Sequence, residues 1–241
     1  MISKREIAYE TDGKRMLGLL AWDDARTGPR PGILVAHTYA GRNAFVESRI
    51  EELAALGYAA FALDLYGEGK VAGAPAEAEA LLRPFLEDRA LIERGMLSAL
   101  ATLAALPEVD DDRLAAEGFC FGGLCVLDLA RVSDDLRGVV SFHGLLRPPA
   151  GVPNRPMKSR VLVLHGERDP LIEAEEISAL TAEFETRDTD WIFMRLGRAA
   201  HAFTNPAAAE PERGVVYEPR TDRLTRAWAQ TYYAELFSDR R

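Results

Sequence analysis

The sequence predicts an α/β fold: a mostly parallel, twisted sheet with helices on both faces, opened by an antiparallel hairpin. Three observations carry that expectation. The runs Ile33-Leu34-Val35-Ala36-His37 and Arg160-Val161-Leu162-Val163-Leu164-His165 have the continuous hydrophobicity of strands buried on both faces. Segments of helical periodicity alternate with such runs from Ile33 to the C-terminus, the order that covers a parallel sheet from two sides. Ahead of them, Ile7–Glu10 and Met16–Trp22 flank Asp12-Gly13, a pair suited to a tight hairpin turn.

Each element follows in order. Asn43 is expected to cap a helix with the inward stripe Val46, Ile50, Leu53 and Ala54, ended by Gly57. Tyr58–Asp64 reads as the next buried strand. Helical segments run from about Pro75 to Ala105, broken or kinked by Pro84, with Ile92, Met96, Leu100 and Leu103 inward. Arg113–Cys120 and Gly138–His143 read as strands around a short buried helix, Gly123–Arg131. A proline-rich loop leads through Met157. Glu173–Arg187 is helical by composition, and Trp191–Leu196 is a strand. Thr221 is placed as the cap of a last helix bearing Leu224, Trp228, Tyr232 and Leu236 on one side.

Composition bounds what the chain does. Its 241 residues, 48% hydrophobic, suffice for one large domain or two small ones. With no repeat, low-complexity tract or linker, the sequence reads as a single domain over residues 1–241. The net charge of −9 argues against nucleic-acid or anionic-membrane partners. No apolar segment follows Met1–Glu6, and no stretch approaches the roughly eighteen apolar residues of a membrane span, so a cytoplasmic protein is expected. Two cysteines, Cys120 and Cys125, lie too close in sequence to staple distant segments.

The stretch Gly118-Phe119-Cys120-Phe121-Gly122-Gly123 has the form of a nucleophile elbow, a sharp strand-to-helix turn that pushes out one reactive side chain. Glycines flank Cys120 where a tight turn leaves no room for side chains, and the unpaired N–H groups of the helix start favour a thiolate. The plain alternative is a buried core cysteine beside a helix-starting Gly-Gly. A cysteine nucleophile needs a base, and the base a carboxylate to orient it. Cys120, Asp169 and His201 fall at strand ends in the order nucleophile, acid, histidine. Asp169 also reads as an Asp-Pro turn bonding its own backbone, and His201 as an exposed loop residue. His143 and His165 read as structural strand-end histidines, while His37 divides between structure and the loop after the first parallel strand. No H-x-x-x-H, H-x-H or C-x-x-C spacing supports a metal site, and no cofactor is implied.

With these residues in view, the chain resembles the dienelactone hydrolase family of the α/β-hydrolase superfamily. The likeness rests on the elbow, on Leu164-His165-Gly166-Glu167-Arg168-Asp169-Pro170, and on His201-Ala202-Phe203-Thr204-Asn205-Pro206. Ala62-Leu63-Asp64-Leu65-Tyr66-Gly67 and Ser141-Phe142-His143-Gly144 extend it to about Ile7–Phe237. The resemblance implies an α/β-hydrolase fold and a Cys120-His201-Asp169 triad that opens small esters or lactones through an acyl-enzyme. It also implies an oxyanion hole made by the backbone N–H groups of Tyr39 and Phe121. His37, Thr38, Tyr66 and Phe203 are the expected edges of the substrate pocket, and the partner is a small ester or lactone.

Two departures bear on substrate. Relatives usually carry a glutamate where this chain has Thr38, and its absence favours a standing thiolate–imidazolium pair. Dienelactone hydrolases proper hold a substrate carboxylate with an arginine shortly after the histidine, where this chain has Asn205-Pro206. A neutral ester is therefore expected in place of the ring-cleavage lactone. Two other readings stand beside the hydrolase. A glutamine amidotransferase-like fold also uses a G-x-C-x-G elbow, but places a His-x-Glu pair after it. A non-catalytic relative would keep Cys120 as a reactive thiol for ligand binding or redox sensing.

Overall fold

A computed structural model describes residues 1–151 and 154–238. Eight strands make a mixed, mostly parallel sheet, and the chain divides into two compact units, Met1–Glu117 and Gly118–Arg241. In the first unit, β1 (Ile2–Thr11) and β2 (Lys14–Asp23) form the expected hairpin, longer than its apolar runs, in a register from Ile2 opposite Asp23 to Thr11 opposite Lys14. Asp12 and Gly13 turn it with φ of 52° and 74°, the paired left-handed geometry that matches strand twist. β3 (Arg30–Ala36) is followed by α1 (Ala44–Ala55) and β4 (Ala59–Ala62). β2 pairs antiparallel with β4, and β4 pairs parallel with β3.

Asn43 caps α1 as expected, its side chain accepting from the N–H of Val46 at 3.4 Å, and Val46, Ile50, Leu53 and Ala54 are buried. The helix also buries Arg49, which the apolar stripe did not foretell. Its guanidinium binds both oxygens of the fully buried Glu117, at 2.7 and 2.9 Å. Two charges removed from water persist only when paired this closely.

After β4 come α2 (Pro75–Glu87) and α3 (Arg89–Ala104). The expected break at Pro84 is displaced: Pro84 lies inside α2, and the helix ends at Asp88, whose N–H reaches the Pro84 carbonyl at 2.9 Å. Asp88 then caps α3 by accepting from the Ala90 N–H at 3.0 Å. A proline removes only its own N–H, so a last turn forms beyond it when a capping aspartate follows. β5 (Val109–Phe119) runs to the elbow, buried from Leu114 onward.

In the second unit, α4 (Phe121–Val132) starts directly after Cys120 and is almost wholly buried. β6 (Leu136–Phe142), β7 (Arg160–Gly166) and β8 (Trp191–Leu196) run parallel as neighbours, with α5 (Ala174–Thr186) between the last two in sequence. The proline-rich loop includes residues 152 and 153, which lie outside the described residues. A two-strand ribbon of β9 (Ala209–Glu210) and β10 (Val215–Val216) precedes α6 (Pro219–Ser238).

Two expectations for α6 are corrected. The helix begins at Pro219, so Thr221 lies in its first turn, and the cap is Glu218, which accepts the Thr221 N–H at 2.7 Å. Its inner face is Asp222, Thr225, Ala229, Tyr232, Tyr233 and Leu236, whereas Leu224 and Trp228 are 37% and 36% exposed. Tyr232 and Leu236 of the expected stripe are buried, and the inner face turns away from Leu224 and Trp228 toward Thr225, Ala229 and Tyr233. Among the described residues, no helix is long and apolar enough to cross a membrane.

Candidate active site

Cys120 sits at the junction of β5 and α4 with φ 56° and ψ −114°, a conformation rare for any residue with a side chain. Glycines make the turn sterically feasible. A Cβ on Gly118 would lie 2.0 Å from the Gly122 carbonyl oxygen, and one on Gly123 would lie 2.6 Å from the Gly144 Cα. The Cys120 carbonyl accepts from Gly123 and Leu124 at 3.0 and 3.3 Å, so α4 is engaged from its first residue.

Asp169 and His201 come to the same place from two loops. The turn after β7 is tied to the loop after β8 by Glu167 N–H to Leu196 O, 3.1 Å, and Arg168 N–H to Ala199 O, 2.9 Å. His201 is pinned in turn by its N–H to Gly214 O, 2.9 Å, and by Val216 N–H to its own carbonyl, 3.0 Å. The result is a chain of contacts: His201 Nδ1 to Asp169 Oδ2 at 2.7 Å, and His201 Nε2 to Cys120 Sγ at 3.1 Å. Asp169 serves both of its readings. Oδ2 takes the imidazole, while Oδ1 accepts the Leu171 N–H at 2.9 Å and closes the Asp-Pro turn.

All three groups are shielded to different degrees, with Asp169 and His201 buried and Cys120 partly open. Burial works against a charged imidazole, but the Cys120 sulfur and the Asp169 carboxylate outweigh it and lift the His201 pKa to about 10. The His201 ring lies between the Cys120 sulfur and the Asp169 carboxylate, in contact with both.

His143, expected as a structural strand-end histidine, makes its hydrogen bonds beside the candidate nucleophile. It is buried, at φ 39°, its ring 5.3 Å from that of His201 and edge-on. Its Nδ1 accepts the Cys120 N–H at 3.2 Å, and its Nε2 meets Thr204 Oγ1 at 2.8 Å. Burial foremost, and then the neighbouring His201 charge, hold its pKa well below the ordinary histidine range. Phe203, expected at the pocket edge, is fully buried with its ring edge-on to His143 at 5.0 Å. His165 is buried at the end of β7 against Phe193.

The remaining candidates cluster in the first unit. His37 is fully buried: its Nδ1–H donates to the Thr38 carbonyl at 2.7 Å, its Nε2 accepts the Leu65 N–H at 3.2 Å, and burial lowers its pKa. The Tyr66 hydroxyl donates to the Tyr39 carbonyl at 2.9 Å, with its ring 4.8 Å from His37. Both carbonyls flanking the Tyr39 N–C segment are therefore held, since Gly41 N–H also reaches Thr38 O at 3.1 Å. Asp64 shapes the loop that carries Tyr66, accepting the N–H groups of Tyr66, Gly67, Gly69 and Leu17 at 2.8–3.0 Å. The only sequence signal for that role was a carboxylate followed by a glycine-rich turn.

Fold and elbow together define the class as an α/β-hydrolase. The dienelactone hydrolase family profile matches residues 16–237, and the chain belongs to that family. A crystal structure of a dienelactone hydrolase-like promiscuous phosphotriesterase from metagenomic libraries superposes with a TM-score of 0.93 at 36% identity, covering 98% of each chain. An uncharacterized protein of Caenorhabditis elegans is 38% identical over 137 residues, 56% of this chain and 85% of that protein. A Bradyrhizobium protein described as a probable 2-oxo-3-(5-oxofuran-2-ylidene)propanoate lactonase is 27% identical over 203 residues, 80% of this chain and 81% of that one.

Proposed function

We propose that this ester or lactone hydrolase, the class its family defines, works through an acyl-enzyme on Cys120 with His201 and Asp169 as its partners. One observation carries the reading: the unbroken Cys120–His201–Asp169 contact chain at 3.1 and 2.7 Å. The Cys120 thiolate attacks the substrate carbonyl carbon and the carbonyl π pair moves onto oxygen. The N–H groups of Phe121 and Tyr39 are the proposed donors to that oxyanion, each worth about 3 kcal/mol of transition-state stabilisation. As the tetrahedral adduct collapses, the imidazolium of His201 gives its proton to the departing alkoxide, leaving a thioester. In a lactone the released hydroxyl stays tethered to the acyl group. Neutral His201 then takes a proton from water, the hydroxide adds to the thioester, and Cys120 leaves again as thiolate with a carboxylic acid as product. Asp169 keeps the Nδ1 proton in place throughout.

Thr38 and Asn205 direct the substrate reading. Neither supplies the charge that a carboxylate-bearing lactone would use, so neutral short esters and simple lactones are the favoured substrates. A cysteine nucleophile at Cys120 must stay reduced, which suits a reducing compartment such as the cytoplasm. A second reading, attack of the same sulfur on a phosphotriester, is favoured by the similarity to the metagenomic phosphotriesterase.

The test is a panel of aryl esters, lactones, a thioester and an aryl dialkyl phosphotriester, assayed with the native protein and with Cys120→Ala, His201→Ala and Asp169→Asn. Turnover that disappears in Cys120→Ala and His201→Ala, and collapses in Asp169→Asn, is the expected result. Absence of turnover on every substrate, with Cys120 still alkylated rapidly, would replace the hydrolase reading with that of a thiol sensor. Alkylation that titrates near the ordinary thiol value of about 8.5 would remove the standing ion pair.

A further inference from the structure

We infer that His143 is a positioning residue of this centre, a ring that ties the strained backbone of the elbow to the loop carrying His201. The inference rests on the proposed roles of Cys120 and His201. A residue held at φ 56° and ψ −114° is strained and persists only where its surroundings over-determine it. At Cys120 that restraint includes a divided amide, whose N–H points to the Phe142 carbonyl at 3.0 Å and to His143 Nδ1 at 3.2 Å.

Tautomer follows from geometry. A ring nitrogen that accepts an N–H carries no proton, so the His143 proton sits on Nε2 and is donated to Thr204 Oγ1 at 2.8 Å. Thr204 lies three residues after His201 in the same loop. One ring therefore spans two segments that are 84 positions apart, Cys120 to Thr204, and fixes the separation across which His201 Nε2 meets Sγ. A doubly protonated ring would aim Nδ1–H at the Cys120 N–H and break the bridge. His143 is itself locked at φ 39°, where β6 ends, and Gly123 and Gly144 let α4 approach that exit too closely for any Cβ. His143 touches no reacting atom in this arrangement, so its effect passes through the elbow.

Two substitutions sever the Thr204 leg and leave the Cys120 leg in place. Thr204→Val removes the hydroxyl with little change of shape. His143→Asn keeps an acceptor near the Nδ1 position, tolerates the left-handed backbone and gives up the Thr204 contact. Both are expected to lower kcat about 10- to 100-fold with KM within about twofold, the size of loss that sub-ångström misplacement produces. Their double variant is expected to be no worse than His143→Asn alone, because both cut the same bridge. His143→Leu, which loses both legs, is expected to fall further, and the pH profile of Cys120 alkylation by iodoacetamide is expected to change in all of them. Native kcat and an unchanged alkylation profile in Thr204→Val would overturn the inference, as would independent, multiplying losses in the double variant. A raised KM at constant kcat would assign His143 to substrate contact instead. If His143→Asn fails to fold, Thr204→Val decides alone. Retained turnover in Cys120→Ala would remove the acyl-enzyme reading, whereas the alkylation profile still tests the bridge.

Discussion

Asp169 divides its two oxygens between a turn and a histidine, and this separates two effects that a single deletion would confuse. Asp169→Asn keeps an acceptor for the Leu171 N–H while losing the anion beside His201. Turnover is expected to fall about 100-fold or more, and the melting temperature at neutral pH to fall as well, because the His201 ring loses an anion that favours its charged form. Asp169→Ala loses the turn as well, and urea denaturation should show a further loss of about 1 kcal/mol. His201 gives a second prediction. Its pKa is raised from 6.5 to about 10, so the stability it contributes as a charged ring is complete below pH 6.5 and disappears as pH rises through about 10. The melting-temperature gap between native protein and His201→Gln should therefore narrow across that window, and a gap that stays constant would remove the charged-ring account. That Cys120, Asp169 and His201 meet was foreseeable because their order along the chain and their places at strand ends are one-dimensional facts. His143 and Thr204 were not, since neither spacing nor residue type reveals a ring shared between a backbone N–H and a hydroxyl.

At the scale of elements, the sequence located helices and strands well and their ends less well. Helix existence depends on many residues, whereas an end depends on one cap. Pro84 and Thr221 were plausible boundaries by type, yet Asp88 and Glu218 supply the bonds that close them. Glu218→Ala is accordingly expected to cost about 1 kcal/mol by chemical denaturation, and Thr221→Ala less, because the Thr221 backbone N–H survives the change. α1 makes a stronger prediction. Arg49→Met would strand the Glu117 carboxylate without its buried partner and is expected to cost about 3–5 kcal/mol, with partial recovery in Arg49→Met/Glu117→Gln. An undiminished midpoint in the single variant would show that the pair contributes little. The elbow, in contrast, was fully legible. Gly118→Ala places a methyl 2.0 Å from a carbonyl oxygen, and loss of soluble, active protein is the expected outcome.

For the whole molecule, a net charge of −9 gives a long-range field that disfavours anionic substrates. The kcat/KM for an anionic lactone acid should be lower than for a neutral ester of similar size, and should rise with added salt as the field is screened. A salt-independent ratio would place substrate discrimination in local contacts alone. The sequence by itself determined the alternation of strands and helices, the hairpin that opens the chain, the family, and the candidate nucleophile, acid and base. Those are encoded in periodicity, turn chemistry and motif order, which survive projection onto a line. Only the tertiary structure decided which oxygen of Asp169 faces His201, why a buried arginine is tolerated in α1, and that His143 joins the elbow to Thr204. Each depends on distances between groups far apart in the chain, and a hydrogen bond is specified to a few tenths of an ångström by packing that no local pattern records.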